Sequence, residues 1–100
     1  MIKHIVFFKL TKVHSDEDKN LQLRGMNAIF SHLGDKFPFI VEYRTGNNFN
    51  KATHSWDFVI DSIFRNKEDL QKYLESDEHI EAVRLASGIE KNKAVIDYEF

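Results

Sequence analysis

The sequence of 100 residues predicts an α+β protein built on a four-stranded antiparallel sheet, with its helices packed against one face. Three observations predict it. Strand-like and helical segments alternate in the order β-α-β-β-α-β. Each helical segment opens on a side chain that can cap it. The first and last strands are apolar on both of their faces, whereas a small antiparallel sheet ordinarily keeps one face wet.

The first strand is Ile2-Lys3-His4-Ile5-Val6-Phe7-Phe8-Lys9-Leu10. Alternate residues of a strand point to opposite faces. Ile2, Val6, Phe8 and Leu10 therefore share a face with His4, and Ile5 and Phe7 share the other with Lys3 and Lys9. Ser15-Asp16-Glu17-Asp18 reads as a helix start, a capping hydroxyl followed by acids that suit the positive end of the helix dipole. Leu23, Met26, Phe30 and Leu33 recur at helical spacing, Gly34 is the expected helix stop, and Pro38 bars continuation. A second strand is expected over 39–45, followed by turn or bulge chemistry at Gly46-Asn47-Asn48. The third, 56–64, alternates Trp56, Phe58, Ile60, Ser62, Phe64 against Asp57, Val59, Asp61, Ile63. Asn66-Lys67-Glu68-Asp69 opens a second helix with Leu70, Tyr73 and Leu74 on its inner side. Ser76-Asp77-Glu78 interrupts or re-caps it, and Ile80, Val83 and Ala86 extend an apolar stripe. Gly88 ends the helix, and the last strand is expected over 93–100.

With right-handed crossovers, this order places both helices on one face of the sheet. The other face, carrying Ile5 and Phe7, needs a second cover. A second copy of the chain is the expected one, since two-fold association is the default for a self-complementary patch, at about 800 Å² per partner.

Composition limits the function classes. The length suits one domain over residues 1–100. Nine Phe favour a substantial core, an interface or an apolar pocket. The formal charge of −2 with scattered bases gives no nucleic-acid footprint. The absence of cysteine excludes disulfides and thiolate chemistry, and fits a cytoplasmic protein. No segment has the length and apolarity of a membrane span or the pattern of a signal peptide. No close His pair marks a metal site, and no phosphate loop, catalytic serine signature or dinucleotide fingerprint is present.

The chain resembles the stress-responsive A/B barrel domain family, the dimeric α/β-barrel or Dabb proteins. Residues 2–10, Thr45-Gly46-Asn47-Asn48, Trp56-Asp57-Phe58-Val59-Ile60 with Phe64, Glu68 to Leu74, His79 and Val95-Ile96-Asp97-Tyr98-Glu99 carry the likeness. It implies a ferredoxin-like protomer, two sheets packed face to face as a homodimeric barrel, and a cavity between each sheet and its own helices. In enzymes of the family that cavity holds a His and a Tyr, which match His79 and Tyr73, with His4 a further cavity candidate. The family's His-Pro-x-His is here Ser76-Asp77-Glu78-His79, so the first His and the Pro are replaced and a less rigid loop is expected. Some relatives carry a divalent cation near the dimer interface. Loop oxygens at Gly46-Asn47-Asn48 could serve, although a turn explains them more simply.

Tyr73 and His79 lie six residues apart, which on one unbroken helix would separate them by about 120°. They can converge if the chain bends at Ser76-Asp77. Together they could perform acid–base chemistry, and apart they are ordinary helix residues. His4 is either a hydrogen-bonded core residue or a cavity group. Asp57, Asp61, Asp97 and Glu99 read as register-setting acids at an interface, pairing with Lys3, Lys9, Arg44 or a base of the partner. The resulting expectation is a cavity for an apolar or aromatic small molecule, lined by His4, Val6, Phe8, Phe58, Leu70, Tyr73 and His79, with no metal or cofactor. The alternatives are a cofactor-free cyclase, isomerase or oxygenase using His79 and Tyr73, and a structural stress protein.

Overall fold

The computed structural model describes residues 1–100. The chain runs β1 (Ile2–Leu10), α1 (Asp16–Phe30), a 3-10 helix (Leu33–Lys36), β2 (Ile40–Asn47), β3 (Phe58–Phe64), α2 (Lys67–Glu75), α3 (Asp77–Ala86) and β4 (Lys91–Glu99). The strands form an antiparallel sheet in the order β2-β3-β1-β4. The two halves of the chain interleave, so that β1 and β3 occupy the centre, and α1, α2 and α3 pack on one face.

Each helix begins where its cap chemistry requires. Ser15 Oγ accepts from the Asp18 N–H at 3.0 Å, and Asn66 Oδ1 accepts from the Asp69 N–H at 2.8 Å. The expected second helix is two helices, because Ser76 takes an extended backbone (φ −66°, ψ 150°) and caps α3. Its Oγ accepts from the His79 N–H at 3.1 Å while donating to the Tyr73 carbonyl at 2.7 Å. The bend is thus tied down on both sides by one hydroxyl.

Alternation in β1 is strict: Ile2, His4, Val6, Phe8 and Leu10 are buried, and the residues between them are half-buried. The buried set meets Phe58, Ile60 and Phe64 of β3, Leu23, Met26 and Phe30 of α1, Leu70 and Tyr73 of α2, and Ala82 and Ala86 of α3.

Five expectations are corrected. Gly34 does not stop α1, which ends at Phe30; Gly34 lies in the 3-10 helix, where a Cβ would stand 2.3 Å from Tyr43 Cγ. Close approach of the Tyr43 ring explains this glycine. Gly46 and Asn47 continue β2 rather than turning, and the register irregularity falls between Ile40 and Glu42. On α3 the buried residues are Ala82 and Ala86, whereas Ile80 and Val83 stay partly exposed, because the bend at Ser76 resets the helical phase. Finally, β4 begins at Lys91, two residues earlier than expected, and Trp56 and Asp57 precede β3.

The opposite face of the sheet carries no element of the chain. It presents Ile5 and Phe7 of β1, Val59 and Ile63 of β3, and Ile96 and Tyr98 of β4. Ile96 is 52% exposed and Tyr98 48%. Lys3 Nζ pairs with Asp61 across this face at 2.9 Å, as the sequence reading expects of an acid there. That hydrogen bond holds the Lys3 ammonium above its ordinary pKa.

Candidate functional site

The helical layer is narrower than the sheet, and the missing width lies over β4. In the register His4↔Asp97, Val6↔Val95 and Phe8↔Lys93, the partners on β4 face the helices but are not covered by them. Val95 is 46% exposed, although its neighbour Val6 is buried. The uncovered strip is the wall of a cavity of about 420 Å³. Its floor is Val6, Phe8 and Ile60; α2 and α3 supply Tyr73, Leu74, His79, Val83 and Ala86.

Tyr73 and His79 converge here. Their ring centroids are 4.8 Å apart, tilted by 55°, because the Ser76 bend swings the start of α3 back over the end of α2. His79 Nδ1 lies 3.1 Å from the Leu74 carbonyl oxygen. A carbonyl can only accept, so Nδ1 carries the proton and Nε2 carries the lone pair. Burial pushes the imidazole below its ordinary pKa of 6.5, an effect opposed by the Leu74 carbonyl and reinforced by Lys93 and His4. His79 is therefore neutral at pH 7, with Nε2 as a base. Burial acts oppositely on Tyr73, raising its hydroxyl to about 12 against a smaller downward pull from Tyr43. Tyr73 thus stays a protonated donor. Tyr43 itself is raised by burial, and its hydroxyl donates to the Phe30 carbonyl at 2.8 Å.

His4 is buried in the same wall, 6.3 Å from Tyr73 between ring centroids. Its Nδ1 donates to Asp97 Oδ1. Asp97 is the residue that sequence reasoning misplaced: it is a cavity carboxylate orienting a histidine, not an interface acid. The signal was available in its alternation with Val95 and Lys93, but pairing it with His4 required the strand register. Asp57 is also structural in a different way from that expected. It accepts from the Leu10 N–H at 2.7 Å and pairs with Lys19 at 3.2 Å, binding β1 and α1 to the loop before β3.

Of the seven residues expected around a ligand, His4, Val6, Phe8, Tyr73 and His79 line this cavity. Phe58 and Leu70 do not. Both are buried in the core beside it, Phe58 against Phe8 and Phe30. The cavity also has residues that sequence reasoning did not assign to it, among them Phe30, Lys91 and Lys93. No three His, Asp or Glu side chains converge as a metal site. At Gly46-Asn47-Asn48 the side-chain oxygens are already used: Asn47 Oδ1 accepts from Asn27 at 2.8 Å, and Asn48 Oδ1 from the Asn50 N–H at 2.8 Å.

Fold and cavity together define an α+β sheet protein of ferredoxin-like topology, with a histidine-bearing pocket between sheet and helices. The chain belongs to the stress-responsive A/B barrel domain family, whose profile matches residues 2–100. A comparison with curated proteins finds no match. Among solved structures, a dimeric protein of unknown function with a ferredoxin-like fold from Bacteroides fragilis is 29% identical, with a TM-score of 0.83 over 99% of this chain and 95% of that one. A dimeric ferredoxin-like protein of unknown function from Thermobifida fusca is 16% identical, with a TM-score of 0.81 over 99% and 90%. A hydroxynitrile lyase from Passiflora edulis is 18% identical, with a TM-score of 0.75 over 97% and 90%. The last two likenesses are of fold. No helix of this chain is long and apolar enough to cross a membrane.

Proposed function

We propose that this protein is a homodimeric α/β barrel, one domain per chain and cytoplasmic, whose sheet–helix cavity binds an apolar or aromatic small molecule and exchanges a proton with it. The observation that carries the chemistry is the state of His79: neutral, with Nδ1 held by the Leu74 carbonyl and Nε2 unprotonated, against a Tyr73 hydroxyl that remains a donor. In this reading Nε2 removes a proton from an acidic C–H or O–H of the ligand. Tyr73 donates to the oxygen on which negative charge develops. His4, oriented by Asp97, supplies a further polar contact in an otherwise apolar wall. Isomerase, cyclase and lyase reactions that move a proton and develop charge on an oxygen use this pair of roles, and a hydroxynitrile lyase shares the fold.

The homodimer is supported by the exposed apolar face of Ile96 and Tyr98 and by the dimeric neighbours. Native mass spectrometry tests both parts. The expected species is a dimer carrying a discrete small-molecule mass that is released on denaturation. With that molecule as substrate, His79→Ala should lower turnover by about 10²–10⁴-fold while the dimer and its melting temperature persist. Unchanged turnover in His79→Ala refutes the catalytic role, and a monomeric wild type refutes the barrel.

A further inference from the structure

The cavity opening has a charge pattern that the proton-transfer pair does not use. Lys91 and Lys93 are alternate residues of β4 and both line the cavity. No carboxylate of the chain pairs with either of them. The carboxylate in the cavity wall, Asp97, is engaged by His4.

The two lysines differ in what they already do. Lys91 Nζ donates to the Ala86 carbonyl and, at 2.8 Å, to the Ile89 carbonyl, closing the C-terminal end of α3. Its charge is thus largely balanced by the negative end of that helix. Burial, with Lys93 second, holds it below the ordinary pKa of a lysine. Lys93 is exposed, its side chain makes no hydrogen bond or ion pair, and it stands where its charge reaches His79.

We propose that the ligand is a carboxylate: an apolar or aromatic body lying along Val6, Phe8 and Phe30, with its carboxylate at the opening on the Lys93 ammonium. The inference rests on the cavity reading above and adds the ligand's charge class. A monoanion fits better than a phosphate dianion. One free ammonium faces the opening, the adjacent helix end is a C-terminus, and no arginine lines the cavity. The arrangement also orients the ligand. With its carboxylate at Lys93, the body enters toward His79 and Tyr73 rather than away from them.

The test is a titration of the full-length protein with 2-naphthoate and with neutral 2-naphthamide, followed by amide NMR shifts of Val6, Tyr73 and Val95. The expected result is a naphthoate affinity about five- to tenfold above that of the amide. Lys93→Gln should abolish that preference, and Lys93→Arg should keep it. Equal affinity for the two probes, or a preference that survives Lys93→Gln, overturns the carboxylate assignment while the cavity reading stands. Failure of both probes to shift these resonances overturns the two together. Lys93 is exposed and unpaired, so both variants should fold as the wild type does.

Discussion

Strands β3 and β4 both pair with β1, in antiparallel register along nearly its whole length, yet they end in opposite environments. On the helix-facing side of β3, Phe58, Ile60, Ser62 and Phe64 are buried, Phe64 completely. On the same side of β4, Lys93, Val95 and Asp97 are exposed. The hydrogen-bonding ladders do not distinguish the two strands. The difference is the width of the helical layer, which covers β1 and β3 and stops short of β4. One flank of the central strand is therefore core and the other is the wall of a cavity. The polar residues that a core would not tolerate unpaired, His79, Asp97 and Lys93, gather on the second flank.

The comparison fails if substitutions on the two flanks cost the same. Phe64→Ala, which empties a fully enclosed site, should destabilise the protein by about 3–5 kcal/mol in urea unfolding. Val95→Ala should cost less than about 1 kcal/mol, since its side chain is already half in water. A large loss at Val95 would show that β4 belongs to the core. The open face provides a third reference. Ile96→Asp puts a charge where a partner sheet should lie, and light scattering should show monomer in place of dimer. Next in size is Gly34→Ala. Its new Cβ meets the Tyr43 ring, which the Phe30 carbonyl holds in place, and a loss of about 1–3 kcal/mol is expected. Val95→Trp sharpens the contrast: it should fill the cavity and remove naphthoate binding while stability changes by less than about 1 kcal/mol.

The smallest expected effect is a pH dependence. His79 has a folded pKa below the 6.5 of its unfolded state, so below that pH the unfolded chain takes up the proton first. Stability should be full above pH 6.5 and decline as pH falls through it toward the lower folded value. His79→Gln should flatten that decline in a series of unfolding curves. A steeper decline in the variant would mean that the buried imidazole is not the group resisting protonation.

The local features were legible because they depend on neighbours in sequence. Ser15, Asn66 and Ser76 each place a capping oxygen three residues ahead of the N–H it accepts. The strict alternation of β1 states which of its residues are buried. The meeting of Tyr73 and His79 was legible as a condition, a bend at Ser76-Asp77, and that bend exists. The loss of the family's Pro is offset by a Ser76 hydroxyl bonded on both sides of the bend. Asp97 was not legible as a cavity group. Alternation assigns a face, but whether that face is core, interface or pocket depends on elements far away in sequence. Phe58 and Leu70 were misassigned to the pocket wall for the same reason, since an apolar residue on the inward face looks identical in sequence whether it lines a void or fills one.

Sequence by itself thus determined the order of the strands and helices along the chain, the starts of α1 and α2 and the two-sided apolar character of the sheet. Each follows from backbone chemistry and side-chain periodicity within a few residues. The tertiary structure decided where the helical layer ends over the sheet. That boundary turned His4 and Asp97, 93 positions apart, into one hydrogen-bonded pair and left Lys93 at an opening. It is set by the packing of α1, α2 and α3 on β1 and β3, a balance of volumes over the whole chain that no local pattern encodes.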